Sequence, residues 1–101
     1  MPAPPVYLDV DPATLHLPTS RWSGADPWRF QQQIIRFGAS TVGMPPPLVR
    51  RGADGGLVVY NGVTRATRIA KLAPGTLIRV ELTTTIRSPV ASWPTIGDML
   101  P

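Results

Sequence analysis

The chain has 101 residues, 43% of them hydrophobic, with nine Arg and one Lys against six acids for a net charge of +4. That length suits one domain with one core and is too short for a second. The lack of cysteine excludes disulfides, thiolate catalysis and cysteine-ligated zinc, while the modest basic surplus permits a phosphate-bearing partner without demanding one.

Residues 1–5, "MPAPP", read as a flexible lead-in, 6–86 as the folded domain and 87–101 as a tail packing on it. "VYLDVD" sets Val6, Leu8 and Val10 against Tyr7, Asp9 and Asp11, the period-two pattern of a half-buried strand. "PATLHLPTSRWSGA" follows as a proline-punctuated connection. A helix is predicted over "PWRFQQQIIRF", with Asp26 as its N-cap, Pro27 at its first position and Gly38 as its stop. Phe30, Ile34 and Phe37 share one stripe of it.

Three consecutive prolines make "ASTVGMPPP" a loop. "PLVRR", "GADGG" and "LVVYN" predict a hairpin with a five-residue turn. A second helix is predicted from Gly62 to about Leu72, capped by Asn61 and ended by Pro74-Gly75. Its apolar stripe is Val63, Ala66, Ile69, Ala70 and Ala73, with Thr64, Arg65, Arg68 and Lys71 away from it. "TLIRVELTTTI" is a β-branched strand, and Trp93 is the expected anchor of the tail. The order strand, helix, hairpin, helix, strand predicts a small single α+β domain with a short mixed sheet and two main helices. No apolar run approaches the roughly 18 residues of a membrane span, and residues 1–20 lack a signal-peptide layout. No membrane association and a cytoplasmic location are the expectations.

The second helix start carries the chemistry. A helix N-terminus exposes N–H groups and partial positive charge that suit a phosphate. Gly62 lets the backbone approach a ligand closely, Asn61 and Thr64 add hydrogen-bonding groups, and Arg65 adds a planar fork. Arg68 and Lys71 would supply outer charge. An ordinary turn followed by a solvated basic face explains the same residues.

The run "LVVYNGVTRATRIAKLAPGTLIRVEL" resembles the ParB/sulfiredoxin superfamily: a strand, a glycine-containing turn ending in Arg, a helix and a strand. "PTSRW" is similar to the family's early arginine segment, with Arg21 in the matching place. "DPWRFQQQIIRFG" is similar to its next helix and "PPLVRR" to its Pro-hydrophobic strand, so the resemblance spans about residues 6–83. It implies binding of nucleotide phosphates at Asn61, Gly62, Thr64, Arg65 and Arg21, to which the helix face adds Arg68, with a nucleotide and Mg2+ as the candidate cofactor. Val63 stands where sulfiredoxins hold their nucleophilic cysteine and ParB proteins a glutamate; Thr64 replaces a His or Arg. Sulfinic-acid reduction is thereby excluded, and hydrolysis of the ParB kind is not implied. These 101 residues also leave no room for the helix-turn-helix that follows in ParB proteins.

Other chemistry is thinner. His16, the single histidine, lies between two leucines and reads as a packing residue. Asp9 and Asp11 share a strand face and are candidates for a divalent cation in phosphodiester cleavage, whereas Asp54 falls where turns favour Asp. Trp22, Trp28, Tyr60 and Trp93 are candidate stacking partners for bases. The expected function is phosphate-ligand binding, by a nucleotide or nucleic-acid backbone, with phosphoryl transfer or nuclease activity left open. The alternative is a non-enzymatic protein-interaction module that keeps the fold and has lost the pocket chemistry.

Overall fold

Each predicted element forms where its pattern placed it. The computed structural model describes residues 3–101, so the expected lead-in lies outside the described residues at positions 1 and 2. Strands β1 (Val6–Val10), β2 (Leu48–Arg51), β3 (Leu57–Asn61) and β4 (Ile78–Thr85) combine with helices α1 (Pro27–Phe37) and α2 (Val63–Leu72) in an α+β fold. The sheet is mixed, in the order β1-β4-β2-β3. β1 pairs antiparallel with β4, β2 antiparallel with β3, and β2 parallel with β4. The parallel pairing needs a crossover, which β3 and α2 together provide.

Alternate strand residues build the core. Val49, Val59, Ile78 and Val80 are buried in one cluster with Val63, Ala66, Ile69 and Ala70 of α2. Small side chains at Ala66 and Ala70 let the helix lie close to the sheet. Burying a side chain such as Ile69 is worth roughly 1.5–3 kcal/mol. On the opposite sheet face, Arg50 lies 4.1 Å over the Tyr60 ring. There Tyr60 donates its hydroxyl hydrogen to Thr83 Oγ1 at 3.1 Å, and Arg79 lies 5.6 Å over Tyr7.

α1 starts on the expected cap: Asp26 Oδ1 accepts from the Arg29 N–H at 2.9 Å. Gly38, at φ +54°, ends it. Its expected apolar stripe is only partly used, since Phe30 is buried but Phe37 is exposed.

The first connection and the tail do more than the sequence indicated. The Leu57 carbonyl accepts from the His16 N–H, and the His16 carbonyl accepts from the Val59 N–H, so residue 16 covers the outer edge of β3. Leu17 and Leu15 in turn bond to Pro94 and Ile96 of the tail. Unpaired sheet edges invite aggregation, and here residue 16 closes one, with the tail lying outside it. Leu15, Leu17 and Ile96 join the core cluster. Trp93 is only half-buried, 6.2 Å from Trp22; the buried anchors are Val90 and Ile96. Val90 fits against the hairpin turn, where a Cβ on Gly52 or Gly56 would stand 2.8 Å from its methyl carbon. Among the described residues, no helix is long and apolar enough to cross a membrane.

Candidate functional site

The start of α2 is built on a glycine. Gly62, not Asn61, is the N-cap; it adopts φ +99°, and no side chain caps the helix. Asn61 instead ends β3, opposite Leu48 in the ladder. The reason is geometric: the turn from strand into helix needs a left-handed residue, which glycine supplies at little steric cost. The N-terminal N–H groups of α2 therefore lack the side-chain acceptor that Asp26 gives α1.

Arg65 folds back over this turn. A Cβ at Gly62 would stand 2.8 Å from Arg65 Nη2 and 2.9 Å from Pro47 Cβ. Arg65 donates through Nε to the Pro45 carbonyl at 3.2 Å, so the proline loop fixes the guanidinium. Burial lowers its pKa from the ordinary arginine value, yet a guanidinium stays protonated in proteins.

A cleft of about 680 Å3 opens at this point. Asn61, Gly62, Thr64 and Arg65 line it from the β3–α2 turn, and Arg21 lines it from the first connection. Five of the six residues expected at the site are thus brought together. The other wall was not anticipated. Arg29, Gln32, Gln33 and Arg36 of α1 face the cleft, with Trp28 and Tyr60 beside them. The spacing 29, 32, 33, 36 is one helical stripe, which was readable as the polar complement of the apolar one. Trp28 is 71% exposed, and its ring is free to meet a planar ligand. Among the described residues, four arginines and no carboxylate line the cleft.

Arg68 departs from its expected place. It was expected to face solvent as outer charge, but it is 1% exposed. Its Nη1 donates to the carbonyls of Gly38 and Ser40 at 2.8 and 2.7 Å, and it lies 5.4 Å over the Phe37 ring. It lies off the apolar stripe of α2, but the end of α1 and the loop after it wrap over that side. Arg68 lines a second, smaller cavity rather than the main cleft. Lys71 remains exposed and does not line either cavity.

The remaining candidates lie elsewhere. His16 Nδ1 donates to the Trp93 carbonyl at 2.9 Å, a structural tie between connection and tail. Asp11 caps a short 3-10 turn by accepting from the Ala13 N–H, and Asp9 lies 4.0 Å from Arg79 Nε. Asp54 accepts from the Val90 and Ala91 N–H groups, holding the tail to the hairpin. Among the described residues, no three His, Asp or Glu side chains converge as a metal site would. The cleft residues do not fit a protein-held divalent cation, because none is a carboxylate. The arrangement can bind an anion through charge and directed N–H donors, and can stack a ring. In comparison with known proteins, the chain matches no family model and no curated protein.

Proposed function

We propose that this chain is a ParB/sulfiredoxin-like domain whose cleft binds a phosphate-bearing ligand, either a nucleotide or a nucleic-acid backbone. One observation carries the reading: four arginines, unopposed by any carboxylate, surround the uncapped start of α2. Arg65 and the first turn of α2 suit a phosphate from one side. Arg29 and Arg36 reach it from α1, Arg21 from the connection. Trp28 supplies a stacking surface for a base, the usual companion of such charge in single-strand and nucleotide sites. Among the described residues the cleft holds no His, Asp, Glu or Cys to act as nucleophile or general base, which favours binding over chemistry. Phosphoryl transfer or phosphodiester hydrolysis there would rest on charge stabilisation alone.

Titrations of CTP, ATP and a short single-stranded DNA, with and without magnesium, test this through tryptophan fluorescence. At least one should bind saturably, and Arg65→Ala should weaken it about tenfold to a hundredfold, the worth of a charge-assisted hydrogen bond. Binding by none of them, or binding indifferent to Arg65→Ala, sinks the reading. A second reading, a protein-interaction module, is favoured by the exposure of Trp28 and Ile35 on α1. Failure of every phosphate ligand, together with a partner lost on Ile35→Asp, would establish it instead.

A further inference from the structure

Arg68 poses a problem of its own. A buried charge needs a partner of opposite sign, yet the one ion pair among the described residues is Arg79 with Asp9. Its Nη1 is used on two carbonyls and its Nη2 on Met44 Sδ at 3.4 Å. Its Nε is buried with no hydrogen-bond partner, as is Gln33 Oε1. Both side chains line a cavity of about 260 Å3 next to the main cleft. Arg36 and Arg65 line it too, while Phe37, Val42, Met44 and Pro45 make its other walls apolar. Three guanidiniums thus meet an apolar surface with no anion among the described residues that line it.

We propose that this inner cavity binds a carboxylate carried on a small apolar body. The planar guanidinium fork matches the two oxygens of a carboxylate. Gln33 can turn its amide to present either donor or acceptor to the same group. The apolar walls separate this ligand from a free phosphate. A hydrocarbon or aromatic body gains by covering Phe37, Val42 and Met44, whereas inorganic phosphate leaves them wet. The size admits a body of about one ring, below the range of drug-sized pockets.

The test uses para-fluorobenzoate on the full chain, followed by its fluorine resonance and by the carbon-labelled methyl groups of the methionines. Saturable binding that moves the Met44 methyl signal and leaves that of Met99 in place is expected. Arg68→Met should weaken it about tenfold, the loss of a charge-assisted contact. Val42→Trp should weaken it at least tenfold by crowding the cavity mouth; Val42 is 88% exposed, so this change leaves the core intact. Val42 does not line the main cleft, so nucleotide binding there should survive in Val42→Trp. That separates failure of this proposal from failure of the phosphate site. No saturable Met44 shift, an affinity unchanged in Val42→Trp, or an equal shift with inorganic phosphate overturns the proposal. If Arg68→Met does not fold, Val42→Trp alone decides.

Discussion

Position 62 combines two constraints that no amino acid but glycine meets together. Its φ of +99° lies in the left-handed region, and its missing Cβ leaves the space that Arg65 and Pro47 occupy. Gly62→Ala should therefore cost about 1–3 kcal/mol, the range for a strained backbone position, measurable as a lower urea midpoint with an unchanged slope. It should also displace the Arg65 guanidinium and weaken any phosphate ligand. The glycine marked this turn in the sequence, because Gly is the default residue for a left-handed position. Whether Asn61 or Gly62 caps the helix was not legible, since that depends on a dihedral angle. Nor was the burial of Arg68: on a helical wheel it lies away from the apolar stripe. Only the course of the loop between Gly38 and Pro45 encloses it.

The tail from residue 87 onward belongs to the fold as much as to its edge. Ile96 is buried in the core cluster, so Ile96→Ala should destabilise the whole domain by about 2–5 kcal/mol in denaturant unfolding. One carboxylate, Asp54, holds the tail to the hairpin, and a second, Asp98, fastens a turn within the tail. The N–H groups of Ala91 and Val90 keep the Asp54 carboxyl below its ordinary pKa. The Thr95 N–H and hydroxyl do the same for Asp98. A carboxylate whose folded pKa is depressed stabilises the fold above its unfolded pKa. That contribution disappears as pH falls through the folded value. The tail should therefore stay docked at neutral pH and loosen in acid, from just below the ordinary carboxylate range downward. Amide exchange at Val90 and Ala91 against pH checks this, and Asp54→Ala should remove their protection even at neutral pH. The β-hairpin that offers Asp54 was plain from its glycine-rich turn. Its role as the docking point was not, because Asp54 and Ala91 lie 37 residues apart.

Over the molecule as a whole, the net charge of +4 is distributed unevenly: four of the nine arginines line one cleft. If a single-stranded nucleic acid binds there, affinity should fall with salt at a log–log slope of about −0.7 per phosphate engaged, so about −3 at most for this cleft. Measuring binding across a potassium chloride series checks it, and a salt-independent affinity would contradict a charge-based site.

The sequence by itself determined the elements and their order. Period-two strands, two amphipathic helices, an Asp-Pro start, glycine stops and a triple-proline loop are local signals, each readable within a dozen residues. It also pointed to the β3–α2 turn, where five of the expected site residues meet. Tertiary packing decided the rest: the polar stripe of α1 as the facing wall, the enclosure of Arg68, and the joining of residue 16 to the sheet edge and of residues 94–96 to residues 15–17. These depend on contacts between segments distant in the chain. Such contacts follow from how helix and sheet faces bury one another, which no single stretch of sequence encodes.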